Sequence, residues 1–222
     1  MRDRVSSQVT MLIRLYKPYG VLCQFRDPER PTLADLLPVP GVYPAGRLDM
    51  DSEGLLLLTD DGTLQARIAE PRHKLAKTYQ VQVEGQPDAA AFAPLAERLC
   101  GGVALGDGPA KALAVRQIPP PDVPERTPPV TPHRAARSSW VEIVLSEGRN
   151  RQVRRMLAAV GLPVLRLIRV RIGEITLTGL EPGAWEQIPV PGELDTAPVR
   201  RSRPRRPGTP PARPRRARDR QR

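Results

Sequence analysis

Three carboxylates occupy alternate positions in one short segment of the chain. Asp49, Asp51 and Glu53 lie within residues 46–54, immediately before four consecutive leucines at positions 55–58. Carboxylates at such spacing can hold calcium, act as a pair in glycoside hydrolysis, or supply a single catalytic group. The segment therefore has three candidate chemistries.

The first two chemistries fit the residues poorly. In a calcium loop that begins at Asp49, the ninth position is Leu57 and the twelfth is Asp60, where a bidentate glutamate is usual. As a glycosidase pair, Asp49 and Asp51 would point to opposite sides of an extended loop, so we expect Asp51 to face away from Asp49. Asp49 is then either a single catalytic group, held rigidly by the apolar strand that follows, or an ordinary solvated or capping side chain.

A second segment, residues 147–156, is rich in arginine. Helical spacing places Val153 and Met156 on one side of a helix, and it places Arg151, Arg154 and Arg155 on the other side. Such a face can simply be solvated. Because this one begins directly after a strand and a glycine turn, it can also present guanidinium groups to phosphates or to a buried carboxylate.

The hydrophobic periodicity predicts the elements that must position these two segments. We expect strands at residues 12–16, 21–25, 55–58, 77–84, 140–145, 164–171, 175–177 and 185–188, and helices at 33–37, 63–69, 89–100 and 150–160. Strands and helices do not alternate regularly, which argues against a doubly wound parallel sheet. The pattern predicts an α+β fold with a mixed, mostly antiparallel central sheet and flanking helices.

The charge of the chain is concentrated near its end. The 222 residues include 35 Lys and Arg against 24 Asp and Glu, a net charge of +11, and residues 200–222 hold 11 Arg and one Asp, which makes +10. We expect a disordered lead at 1–11, one globular domain at 12–196 with a Pro-rich loop inserted at 119–139, and a disordered Arg- and Pro-rich tail at 197–222.

Two further classes of protein are disfavoured by composition. No run of 18 apolar residues is present, so we expect no membrane span and a cytoplasmic location. The chain has two cysteines and two histidines, widely spaced, which is not the pattern of a disulfide framework or a zinc site.

Residues 45–59, with the sequence AGRLDMDSEGLLLLT, resemble the signature of the ribosomal pseudouridine synthases of the small-subunit-A type. Lys17-Pro18, Lys77-Thr78-Tyr79 and residues 147–156 match the other sequence blocks of that family in order and spacing. The resemblance implies that residues 12–196 form the family's catalytic domain and isomerise a uridine to pseudouridine. Further stretches are similar to the short branch of the family that acts on 23S rRNA and has no additional RNA-binding domain. The Pro-rich loop and the tail depart from that branch.

The resemblance also implies roles for particular residues. Asp49 would be the catalytic aspartate, as nucleophile or as base, Tyr79 would stack on the target base, and Arg154 would pair with Asp49. Arg47 would help to flip or hold the nucleotide, because a base must leave its stack before C1′ is accessible. The other expected RNA contacts are Lys17, Lys77, Arg149, Arg151 and Arg155.

The family reaction is redox-neutral, so we expect no metal and no organic cofactor. The expected partner is ribosomal RNA, as 23S RNA or an assembling large subunit, with no small-molecule substrate, and we expect a monomer. The competing hypothesis is a non-catalytic RNA-binding or ribosome-assembly factor on the same fold. A pure RNA binder has no use for a carboxylate that faces an anionic ligand, so Asp49 favours the enzyme.

Overall fold

A nine-stranded central sheet dominates the computed structural model, which describes residues 10–70 and 75–194. A separate hairpin and four short helices accompany the sheet. The strands are β1 (Leu12–Lys17), β2 (Tyr43–Pro44), β3 (Glu53–Thr59), β4 (Lys77–Glu84), β5 (Val103–Leu105), β6 (Gly108–Ala110), β7 (Ala114–Ile118), β8 (Ser138–Leu145), β9 (Val164–Ile172), β10 (Ile175–Thr176) and β11 (Trp185–Ile188). The helices are α1 (Gly62–Ala69), α2 (Ala89–Gly101), α3 (Pro132–Ala135) and α4 (Gln152–Ala159), with a 3₁₀ turn at Leu33–Asp35.

The sheet is mixed and mostly antiparallel. Its order is β11-β1-β3-β9-β4-β8-β7, with β2 beside β3 and β10 beside β9, while β5 and β6 form the separate hairpin. Among the described strands, the one parallel pair is β3 with β9. The predicted α+β class is therefore confirmed.

Gly54 permits the close approach of β3 and β9. Its φ is 103°, a conformation that side chains with a Cβ rarely adopt. A Cβ at this position would overlap the carbonyl oxygen of Arg169 and would lie 2.7 Å from the Arg169 nitrogen. The missing side chain thus brings the segment before β3, which contains Asp49, beside β9.

Apolar side chains cover both faces of the sheet. The four leucines of β3 are fully buried, with Leu55 and Leu57 in one hydrophobic cluster and Leu56 and Leu58 in another. A strand buried on both faces has a continuous apolar sequence, which explains the leucine run. Helices α2 and α4 pack in a third cluster with β4 and β8.

Aspartates begin two of the helices. Asp61 accepts hydrogen bonds from the backbone N–H groups of Thr63 and Leu64 at the start of α1, and Asp88 accepts one from Ala91 at the start of α2. These bonds satisfy helix donors that have no partner within the helix.

Two local predictions are wrong. Residues 21–25 form no strand: Leu22 makes an isolated bridge with Thr32, although Val21 and Cys23 bury their side chains. The alternating apolar pattern indicated burial and not strand pairing. The Pro-rich segment 119–139 is not irregular throughout, because it contains α3 and the first residues of β8.

The Pro-rich segment also packs against the sheet. The Pro124 carbonyl accepts a 2.8 Å hydrogen bond from Arg166, and the Arg126 guanidinium lies 4.3 Å from the centre of the Tyr19 ring. Nη1 of Arg126 donates to the Leu165 carbonyl at 3.4 Å. The segment is therefore fastened at both Tyr19 and β9.

Two expected regions lie outside the described residues. They are the lead, up to residue 9, and the Arg- and Pro-rich tail at 197–222. In the part of the chain that the structure describes, no helix is long and apolar enough to cross a membrane.

Candidate active site

The loop that carries Asp49 and Asp51 is a tight turn. The Ser52 N–H donates to the Asp49 carbonyl at 3.1 Å, and the Gly20 N–H donates to the Met50 carbonyl at 2.8 Å. Side chains alternate between faces in an extended strand but not in a four-residue turn. The prediction that Asp51 faces away from Asp49 is therefore wrong, and both carboxylates lie near one guanidinium, that of Arg151.

Arg151 lies between the two carboxylates. Its Nη1 and Nη2 donate to Asp51 Oδ1 and Oδ2 at 3.0 and 2.8 Å, whereas Asp49 Oδ2 is 3.6 Å from Nη1. Partial burial alone would raise the pKa of Asp51, but the hydrogen bonds from Arg151 and the charge of Arg154 lower it below its usual value. Asp51 is therefore held as the anion.

Arg154 binds the backbone of the same loop. Its Nη2 donates to the Asp51 carbonyl at 2.7 Å and lies 3.4 Å from Asp51 Oδ2 and 3.5 Å from Ser52 Oγ. Burial lowers the pKa of Arg154, whose side chain is only 13% exposed. The predicted direct pair with Asp49 is not found: within 4 Å the carboxylate next to Arg154 is that of Asp51, and Asp49 attracts Arg154 from farther away.

A cleft of about 530 Å³ opens between the aspartate loop, the start of α4 and strands β4 and β9. Its volume is within the range of ligand-binding clefts. The predicted site residues that do not line it are Lys17 and Arg155. The cleft brings together the other seven, which are Arg47, Asp49, Lys77, Tyr79, Arg149, Arg151 and Arg154.

Strand β4 supplies Tyr79 and Lys77, which are two residues apart and so lie on the same face of the sheet. Both are mostly buried, at 7% and 8% exposure. Nζ of Lys77 donates to the Leu75 carbonyl at 3.2 Å. Burial, together with the charge of Arg169, lowers the pKa of Lys77 to about 8. The wall of the cleft is thus an aromatic ring beside a desolvated ammonium.

Lys17 has a structural role in the turn after β1 and not the predicted role in RNA binding. It is fully buried at the end of β1, and its Nζ donates to the carbonyls of Pro18 and Val21 at 2.9 and 2.7 Å. Burial lowers the pKa of Lys17 to about 8. Because the ammonium is enclosed by the turn that follows β1, the predicted contact of Lys17 with RNA does not fit the structure.

Arg149 and Arg155 share a different carboxylate, that of Asp107 in the turn between β5 and β6. Arg155 binds it at two points, at 2.8 and 2.9 Å, and Arg149 Nη1 lies 3.3 Å from it. The arginine side of α4 is therefore divided. Arg151 and Arg154 bind the aspartate loop, while Arg149 and Arg155 hold the β5–β6 hairpin.

Arg169 is a cleft residue that sequence reasoning missed. Its Nε donates to the Leu55 carbonyl at 2.7 Å and its Nη1 to the Arg47 carbonyl at 3.3 Å. The Arg169 guanidinium therefore connects the residues on either side of the aspartate loop, Arg47 and Leu55, to β9. An arginine within the apolar strand Val164–Ile172 is the signal that could have identified it, because a buried cation needs specific partners.

The cleft places the Asp49 carboxylate among positively charged side chains. Among the described residues, the Asp49 side chain accepts no hydrogen bond within 3.5 Å, and it is 36% exposed. Such a carboxylate has lone pairs available for nucleophilic attack or proton removal, while the surrounding arginines suit a phosphate-bearing ligand. Over residues 10–70 and 75–194, no three His, Cys, Asp or Glu side chains are placed to hold a metal ion.

Comparison with known proteins decides the family. The sequence profile described as RNA pseudouridylate synthase matches residues 11–159, which span the aspartate loop, β4 and α4. The chain belongs to this family. The family reaction makes this pseudouridine synthase an isomerase, as the sequence motifs predict.

This pseudouridine synthase is similar in sequence to bacterial enzymes that are named for the large ribosomal subunit. It is 54% identical over 179 residues to ribosomal large subunit pseudouridine synthase E of Xanthomonas campestris pv. campestris, covering 79% of this chain and 94% of the relative. It is 50% identical over 181 residues to the protein of the same name from Vibrio vulnificus, covering 81% and 76%. Identity to ribosomal large subunit pseudouridine synthase B of Escherichia coli K12 is 39% over 188 residues, covering 82% and 58%.

Solved structures agree with this assignment. A crystal structure of a pseudouridylate synthase superposes with a TM-score of 0.63 at 30% identity, covering 81% of this chain and 70% of that one. An archaeal box H/ACA Nop10–Cbf5 complex gives a TM-score of 0.51 at 14% identity, covering 75% and 49%, which shows a shared fold. The pseudouridine synthase fold predicted from the sequence is therefore confirmed.

Proposed function

We propose that this pseudouridine synthase isomerises a specific uridine of 23S ribosomal RNA. The relatives at 54% and 50% identity carry the name of a large-subunit enzyme, and the first is matched over 94% of its length. The observation that carries the proposal is the single cleft that gathers Asp49, Tyr79 and the arginines at the start of α4. It acts on ribosomal RNA or an assembling subunit, in the cytoplasm, as a monomer.

The reaction needs a nucleoside that has left its stack. The C1′–N1 bond of the uridine breaks, uracil turns within the cleft, and a C1′–C5 bond forms while the C5 proton is lost and N1 gains one. No atom is added or removed and no electrons are transferred, so the proposed reaction consumes no co-substrate and needs no redox cofactor. Asp49 acts at the nucleoside as nucleophile or base, and Tyr79 stacks on the base.

The cations of the cleft bind the backbone of the flipped nucleotide. Arg47 is exposed at the rim beside Asp49 and is the residue best placed to hold the position that the base vacates. Arg149 and Lys77 line the same cleft and supply positive charge toward phosphates. The arginines at 200–222 add a cationic arm that collects RNA without reading its sequence.

The test is a map of pseudouridines in 23S rRNA from a strain that lacks the gene. One pseudouridine should disappear, return when the wild-type gene is supplied, and stay absent with the Asp49→Asn gene. If Asp49→Asn restores the modification, or if every pseudouridine persists in the deletion strain, the chain is instead a binding or assembly factor on this fold.

A further inference from the structure

We infer that Asp51 is a positioning residue: it holds Arg151 beside Asp49 at a distance that supplies positive charge without occupying the Asp49 oxygens. The inference rests on the proposed function of Asp49 and adds a role for the neighbouring carboxylate. Asp51 and Arg151 make two charge-assisted hydrogen bonds, at 3.0 and 2.8 Å, a geometry that fixes the plane of the guanidinium. Nη1 of the same guanidinium lies 3.6 Å from Asp49 Oδ2, which is too far for a hydrogen bond.

The backbone of Arg151 shows that its position is constrained. Its φ is 46°, and it is the one non-glycine residue of the described chain with a positive φ. Residues with a Cβ avoid this conformation and keep it only where the surroundings impose it. Here Arg151 begins α4, with its carbonyl accepting the first helical hydrogen bond from Arg155 at 3.0 Å and its side chain fastened to Asp51.

The partner of Arg151 is equally fixed. The turn that carries Asp51 is closed by the Ser52 N–H on the Asp49 carbonyl, and the Asp51 carbonyl is bound by Arg154. Asp51 and Asp49 are therefore parts of one rigid turn, and a guanidinium bound to the first has a set distance from the second.

This distance has a chemical consequence. A guanidinium bonded directly to Asp49 would occupy some of its lone pairs and make the carboxylate a weaker nucleophile and base toward the nucleoside. At 3.6 Å it still attracts the anion, because the interaction of two charges falls only with the first power of distance. Asp51 accepts both hydrogen bonds from Arg151, so Asp49 receives only the electrostatic attraction of the guanidinium.

The experiment compares Asp51→Asn, Arg151→Asn and the double variant by steady-state kinetics on an rRNA fragment that contains the target uridine. Asparagine at 151 tolerates the left-handed backbone and removes the guanidinium. Asp51→Asn should lower kcat by roughly tenfold or more, since displacement of a reacting group by about 1 Å can reduce a rate 10²-fold. KM should not rise, because a negative charge near RNA is removed.

The double variant separates positioning from a general effect on the fold. If Asp51 acts through Arg151, the double variant should turn over within about twofold of Arg151→Asn alone, as interacting residues are not additive. Multiplying losses would overturn the inference, and so would a wild-type kcat in Asp51→Asn. The matched control is Glu142→Gln, which removes a carboxylate from Arg116 on β7, 2.8 Å away and outside the cleft. It should keep the wild-type kcat.

The failure of the inference is distinguishable from failure of the proposed function. Wild-type activity together with an inactive Asp49→Asn variant supports the function whatever Asp51 does. Melting temperatures of all variants should agree with that of Glu142→Gln. A melting temperature lowered in Asp51→Asn alone, with kcat restored at a lower assay temperature, would assign Asp51 to stability and overturn the positioning role.

Discussion

Arg166 and Glu53 form a buried two-point ion pair across the parallel junction of β3 and β9. The two hydrogen bonds measure 2.9 and 2.8 Å, and the residues are 6% and 3% exposed. Glu53 follows the aspartate turn directly, so the pair fixes the end of the turn to β9. The Pro124 carbonyl accepts a further hydrogen bond from Arg166, which links the Pro-rich segment to the same junction.

Glu53→Gln should lower the free energy of unfolding by about 3–5 kcal/mol, because it leaves the buried Arg166 cation without its anion. Urea unfolding measures this. A Glu53→Leu/Arg166→Met double variant should recover much of the loss, since buried ion pairs are often replaceable by apolar residues. Glu142→Gln should cost far less, because its partner Arg116 is 69% exposed and solvent screens the charge that is left. Similar losses in Glu53→Gln and Glu142→Gln would contradict the role of burial.

Asp49→Asn should abolish isomerisation while RNA binding survives. The change removes the reacting carboxylate, and it also removes a negative charge that repels phosphate, so affinity should stay equal or rise. A pseudouridine assay tests the loss of isomerisation, and filter retention of labelled RNA tests whether binding survives. Asp60→Asn is the control, because Asp60 lies beyond the other end of β3 and accepts a hydrogen bond from the Met11 N–H. Turnover near wild type in Asp49→Asn would remove Asp49 from the mechanism.

Arg154→Ala should slow the chemical step far more than Arg155→Ala. Arg154 is mostly buried and binds the carbonyl of Asp51, so its loss should displace the aspartate turn and reduce the rate roughly 10- to 100-fold. Arg155 binds Asp107 in a solvent-screened pair that does not line the cleft, so its loss should change the rate little. Single-turnover rates on a short rRNA stem-loop compare them. A slower Arg155→Ala variant would reverse the assignment of the two arginines.

Stability should rise from neutral pH to about pH 10 and then fall. The folded pKa values of Lys17 and Lys77 are about 8 against an ordinary 10.5, so between these values the unfolded chain binds more protons and stability rises with pH. Each lysine contributes up to about 1.4 kcal/mol per pH unit. Burial raises the pKa of Tyr16 to about 12, and above pH 10 the unfolded chain binds fewer protons, so stability declines.

Urea unfolding at pH 7, 8.5, 9.5 and 11 checks this dependence. Lys17→Met should roughly halve the rise below pH 10, whatever its effect on absolute stability. A flat profile in the wild type would mean that these lysines are solvated when folded.

Truncation after Val199 should weaken binding to all RNAs alike. Residues 200–222 carry a charge of +10, and binding to phosphates provides affinity without sequence information. The slope of log K against log salt should become shallower by roughly 0.7 for each phosphate of single-stranded RNA that the tail neutralises in the full chain. Binding at several salt concentrations decides whether the tail contacts RNA. Turnover at saturating RNA and the choice of uridine should not change.

Local sequence patterns predicted the long strands β1, β3, β4, β8 and β9 but not β5, β6 and β7, whereas most of the cleft residues followed from the resemblance to the pseudouridine synthases. Alternation in Lys77–Glu84 and the leucine run of β3 determine which faces are buried. Residues 21–25 show the limit, since their apolar pattern is satisfied by packing without strand pairing. Burial can be inferred from periodicity, whereas the partner of a backbone N–H cannot.

The pairing of charges was harder to predict than their presence in the site. The family resemblance implied that Arg154 pairs with Asp49, but the turn at Asp49–Ser52 brings Asp51 to the arginines instead. Lys17 was expected at the RNA surface, and only the turn after β1 reveals that its ammonium is enclosed. Arg169 reaches the cleft through register across the β3–β9 junction. The contacts of Asp51 and Arg169 join residues distant in sequence, whereas the enclosure of Lys17 depends on the conformation of the turn that follows it.

The candidate active site joins parts of the chain that are synthesised at different times. Asp51 and Arg151 are 100 residues apart, and protein synthesis proceeds at roughly 5–20 residues per second. The acidic turn therefore leaves the ribosome several seconds before the arginines that neutralise it. During this interval the nascent chain lacks Arg151 and Arg154, so the surroundings of Asp49 are incomplete until α4 has been synthesised.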